Sequence, residues 1–120
     1  MVNRRKWAAL AAIAVAGASA AAEAPSPAVT WAGCAGVMVA KTMLTEDQAQ
    51  KPRLGALARR ALAQAKTAEN PEKLTPAQID GLAMSSGKTY LGDARKGPEQ
   101  RAKLEKAAED CTELLAKLPG

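Results

Sequence analysis

Apolar residues recur along this chain at spacings of three and four in four separate stretches, and each stretch predicts an amphipathic helix. In the first, from Trp31 to about Leu44, Trp31, Cys34, Ala35 and Met38 share one face. The second, from Pro52 to Thr67, sets Leu54, Leu57, Ala58, Ala61, Leu62 and Ala65 inward, with Arg53, Arg59, Arg60 and Lys66 outside. The third runs from Pro76 to about Leu91, with Ile79, Leu82, Ala83 and Tyr90 toward the core and Ser86 between them. The fourth, from Pro98 to about Leu118, has the cleanest stripe: Leu104, Ala107, Ala108, Cys111, Leu114, Leu115 and Leu118. No run of strictly alternating residues flanks a hairpin turn, so no strand is predicted.

The punctuation between the stretches agrees with this reading. Thr75-Pro76-Ala77-Gln78 has a capping threonine, a proline at the first helical position and a glutamine to close a capping box. Thr45-Glu46-Asp47-Gln48 has the same form and predicts a new turn, which Pro52 then limits. Asn70-Pro71 breaks the chain, and Gly92 reads as a helix C-cap. The fold class expected is therefore all-α, a small four-helix bundle.

The first 22 residues have a different pattern. Arg4, Arg5 and Lys6 precede an uncharged stretch containing Leu10, Ile13 and Val15, and small residues follow through Ala22. That order is expected of a cleavable secretory signal peptide. Cleavage after Ala20 or Ala22 leaves a mature chain beginning at Ala21 or Glu23, destined for the periplasm or for secretion. The alternative is an uncut anchor, but Trp7 to Ala22 gives 16 uncharged residues where a spanning helix needs about 20. No stable membrane span is expected after cleavage. Residues 23–29, rich in proline and alanine, read as a flexible N-terminus, and 30–120 as the helical domain.

Removing the signal changes the charge balance. The net charge of +5 falls to +2, because 14 basic and 12 acidic residues remain. The mature chain keeps only Trp31 and Tyr90 as aromatics, too few for a stacking platform, so no nucleic-acid partner is expected.

Cys34 and Cys111 are the two cysteines, each on an apolar stripe. In an exported chain one such pair predicts a disulfide, here joining the first and last helices. Two buried free thiols are the alternative. Trp31-Ala32-Gly33-Cys34 also imitates a lipoprotein box, but the cysteine stands well past the apolar segment, beyond Glu23, Pro25 and Pro27.

The residues exclude most catalytic chemistry. With no histidine, the commonest general base, the usual nucleophile pairs and the usual zinc sites are lost. Ser85-Ser86-Gly87-Lys88 fits the Ser-x-x-Lys pair of penicillin-recognising enzymes, without the companion motifs that chemistry needs. Gly87-Lys88-Thr89 looks like the end of a P-loop, but five residues separate Gly81 from Gly87 and no strand precedes it. Glu109, Asp110 and Glu113 interleave with Lys106 and Lys117 as a solvated salt-bridge face. Arg53, Arg59 and Arg60 read as a solvated helix back, with contact to an acidic lipid or acidic partner as the functional alternative. No catalytic, cofactor-binding or metal-ligating residue is expected.

Trp31 followed closely by Cys34 at a helix start, with the chain's size, compartment and single disulfide, resembles the small acid-stress chaperones of the periplasm. The likeness covers that local feature and the general architecture. It implies apolar surface exposed at low pH. An inhibitor or immunity-type protein fits the same residues. The expectation is a non-enzymatic exported protein that acts through a protein partner; a Ser85/Lys88 hydrolase is the enzymatic alternative.

Overall fold

A computed structural model describes residues 25–119; the expected signal peptide lies outside them. Four helices follow one another, α1 (Pro27–Leu44), α2 (Lys51–Thr67), α3 (Pro76–Ala94) and α4 (Pro98–Ala116), with no strand among the described residues. A proline stands in the first turn of each, where its missing N–H costs nothing.

α1 begins inside the stretch expected to be flexible. Ser26 caps it, its Oγ accepting from Val29 N at 3.4 Å and donating to Glu72 at 2.8 Å, while Ala28 N donates to Glu69 O at 3.1 Å. The loop after α2 thus holds the start of α1, and Pro27 supplies a first helical position that a reading for linker composition passes over. α1 carries no charge from Pro27 to Ala40, and a helix apolar on most sides belongs in the middle. It packs against all three other helices, and Ala28, Ala32, Cys34, Ala35, Val37, Met38 and Ala40 are buried.

The bundle runs up-down-up-down. Ala65 of α2 meets Ala32 near the start of α1, and Lys41 near the end of α1 pairs with Glu105 in the first half of α4. α3 runs parallel to α1: Ile79 packs with Ala32, and Gly87 lies against Gly36. This α1–α3 diagonal is close because both crossing residues are glycines. A Cβ at Gly36 would stand 2.6 Å from Gly87 N and 2.7 Å from Ser86 Cβ, with Ala83 O nearer still. α2 and α4, on either side of the diagonal, barely touch.

The core divides into two clusters. The larger gathers Val37, Met38, Ala58, Ala61, Leu104 and Leu115 around the cysteines, and the smaller joins Ala32, Ala65 and Ile79. Trp31 and Leu62 pack against both.

Several boundaries and faces differ from expectation. Thr45 does not open a capping box. It ends α1, with Oγ1 donating to Lys41 O at 2.7 Å, and α2 starts at Lys51 without a side-chain cap. Gly92 lies inside α3, which continues to Ala94 and ends on Arg95. Leu82 is 37% exposed, because the smaller Ala83, Ser86 and Gly87 are the residues that meet α1. Leu114 is likewise exposed, since the buried stripe of α4 is Leu104, Ala108, Cys111 and Leu115.

Candidate functional site

Cys34 and Cys111 come together at disulfide distance, both buried, with Cα atoms 5.6 Å apart. Each sits mid-helix on an inward face, so the antiparallel packing of α1 and α4 brings them together.

Two turns further along α1, Lys41 pairs with Glu105, whose other carboxylate oxygen accepts from Arg101 Nε at 3.2 Å. Arg101 also donates to Leu44 O at 3.5 Å, at the carbonyl end of α1 where a cation is favoured. Burial pushes the Lys41 ammonium below its ordinary value, and the Arg101 charge adds to the effect. The group clamps the end of α1 to α4, two turns of α1 beyond the cysteine pair.

The serines and lysine of α3 do not form a site. Ser85 and Lys88 are exposed, and no hydrogen bond joins them. Ser86 is half-buried, and its Oγ donates to Gly33 O at 3.2 Å across the helix crossing. Gly87, the glycine of the P-loop look-alike, is buried in that crossing within α3.

On α4, Lys106 pairs with Asp110 at 2.8 Å, and that hydrogen bond and charge hold the ammonium above its ordinary value. Glu109, Glu113 and Lys117 are exposed. A shallow depression beside them is lined by Glu99, Ala102, Lys103, Lys106, Ala107 and Asp110 and open to solvent. No three acidic or cysteine side chains among the described residues are grouped to hold a metal ion.

α2 has five basic residues and no acidic one. Lys66 pairs with Asp80 of α3 at 2.9 Å. Arg60 donates to Leu118 O at 3.4 Å, and neither it, Arg53 nor Arg59 has an ion-pair partner among the described residues. Large apolar side chains also reach the surface, chiefly Met43 (59% exposed) and Met84 (62% exposed). None of the described helices is long and apolar enough to cross a membrane.

No family model, curated protein or solved structure matches this chain.

Proposed function

We propose that the chain is exported to the periplasm or secreted, and that it acts there by contact with a protein partner rather than by catalysis. The observation that carries the reading is the buried Cys34–Cys111 pair at disulfide distance. Such a bond persists in oxidising compartments and is rare where thiols are kept reduced. The signal-like order of residues 1–22 supports the same compartment. The contact role is supported by what lies outside the core: an α2 whose charged residues are all basic, and shallow relief on α4. A reaction needs convergent groups in a cleft, and Ser85 and Lys88 stand exposed on a helix back.

Intact mass and thiol counting on protein from the exported fraction test this reading. The expected species begins at Ala21 or Glu23 and has no free thiol. A chain that retains Met1 to Ala20, or has two free thiols, sinks it.

A chaperone is the second reading, favoured by exposed Met43 and Met84, whose flexible side chains suit unspecific apolar contacts. It requires suppression of client aggregation together with increased apolar-dye binding at low pH. An inhibitor would show neither.

A further inference from the structure

We propose that the outward face of α2 docks an acidic helix of a protein partner, whose carboxylates pair with Arg53 and Arg60 on one side and Arg59 on the other. The proposal rests on the contact role above and names the chemistry of the partner. Along the exposed back of α2, Pro52, Ala56, Ala63 and Thr67 follow one another at spacings of four, seven and four, which at 3.6 residues per turn makes one line. Arg53 and Arg60, seven apart, border that line on one side, and Arg59 and Lys66, also seven apart, on the other. A Cβ at Gly55 would lie 3.5 Å from Arg59 Nη1, so this guanidinium lies back along its own border instead of across the alanines. The face is a seam of small residues between two basic rails, wide enough for another helix to approach closely.

Two features set this face apart from an ordinary solvated helix back. Solvated faces usually mix charges of both signs at spacings of four, as Lys106 and Asp110 do on α4, but α2 has no carboxylate at all. Its basic residues also start in the first turn, with Lys51 and Arg53, where the positive end of the helix dipole disfavours them. No described contact within the chain compensates Arg53 or Arg59. Positive charge kept against local preference, without an internal partner, fits an external anion. Guanidinium groups favour carboxylates held in a fixed geometry, which a row of glutamates on a helix provides.

A membrane surface is a poorer occupant. The exposed line has no large apolar side chain to insert. Attraction to anionic lipid contributes about fivefold per basic residue, so three guanidinium groups give roughly a hundredfold, too little for stable attachment.

The test uses the oxidised mature chain at fixed salt with three probes. The first is a fluorescent helical peptide with an alanine seam flanked by glutamates. The second is a scrambled peptide of the same composition, and the third is vesicles of phosphatidylglycerol and phosphatidylethanolamine. The patterned peptide should bind at least tenfold more tightly than the scrambled one. Arg53→Glu with Arg59→Glu, both at exposed positions, should remove at least tenfold of that affinity while the melting temperature is kept. Ala56→Trp, which blocks the seam without changing charge, should weaken binding as well. The proposal is overturned by equal binding of the two peptides, by no effect of Ala56→Trp, or by charge reversal that affects vesicles and not the peptide. Any of these leaves the contact reading standing, whereas free thiols in the exported chain remove that reading whatever the peptides do.

Discussion

At the scale of single residues, the α1–α3 crossing is the most demanding place in the molecule. Gly36→Ala puts a methyl group against the backbone of α3, which has no side chain to move aside, and overpacking of this kind costs about 1–3 kcal/mol. Gly92→Ala, inside α3 with nothing within 4 Å of the new Cβ, should instead stabilise by about 0.5–1 kcal/mol through helix propensity. Urea denaturation of the two variants should therefore shift in opposite directions; a Gly36→Ala protein as stable as the parent would mean that the helices do not cross there. The serines next to the crossing separate in the same way. Ser86→Ala loses the hydrogen bond to Gly33 O and should cost about 1 kcal/mol. Ser85→Ala and Lys88→Ala, both at exposed positions, should stay within about 0.5 kcal/mol and leave partner binding unchanged. Loss of a measured activity in both, with the fold intact, would revive the hydrolase. Ala83 and Ser86 were legible on the inward side of α3, but the two crossing glycines were not, because a glycine inside a helix acquires its role only from the helix opposite. Leu82 faces outward for the same reason: side-chain size alone points it inward, and the partner helix selects the small side.

Among the elements, the four helices and their inward stripes were largely legible, and the errors lie at their ends. Thr75 and Thr45 open the same four-residue pattern, yet only Thr75 forms the box, with Gln78 N donating to its Oγ1 at 3.1 Å and its own N–H donating to Gln78 Oε1 at 2.9 Å. Pro76 commits the chain to helix immediately after Thr75, whereas no such residue follows Thr45 and the carbonyls ending α1 engage it instead. Thr75→Ala should thus cost about 1 kcal/mol, as loss of an N-cap does, and Thr45→Ala appreciably less. Equal losses in thermal melts would show that both boxes form in solution. The loop between α2 and α3 gives a further check. Asn70 closes it with two hydrogen bonds to Leu74, and Lys73 is held at φ 57°. Glycine adopts that conformation without the Cβ penalty, roughly 1 kcal/mol or more for other residues. The greater freedom of glycine in the unfolded chain offsets part of this gain, so Lys73→Gly should give a small net stabilisation. A destabilised variant would place Lys73 in another conformation.

For the whole molecule, the approach of Cys34 and Cys111 to disulfide distance between the first and last helices was legible from cysteine arithmetic, whereas the central position of α1 needed the structure. Its uncharged run from Pro27 to Ala40 signals burial on most sides, which a single face through Trp31, Cys34, Ala35 and Met38 does not capture. The two facts are linked. The residues buried around the cysteines include Ala35, Ala40, Ala58, Ala61 and Ala108, side chains that pack closely and bury little area each, so the core has little stabilisation to spare. A covalent tie acts on the other side of the balance, by restricting the unfolded chain. With Cys34 and Cys111 separated by 77 positions, the chain-entropy relation gives about 4.5 kcal/mol, comparable with the entire stability of a small domain. Removal of native bridges from small secreted domains costs about 2–5 kcal/mol, so the oxidised protein should lose a few kcal/mol on reduction. Cys34→Ser and Cys111→Ser should each reproduce that loss, and the double variant should add little, because either change alone already frees the loop. Melts of the three variants, with and without reductant, are the measurement. Reductant should leave all three unchanged and lower only the parent. A parent melt that reductant does not move would show that close packing around α1 holds the bundle without the bond.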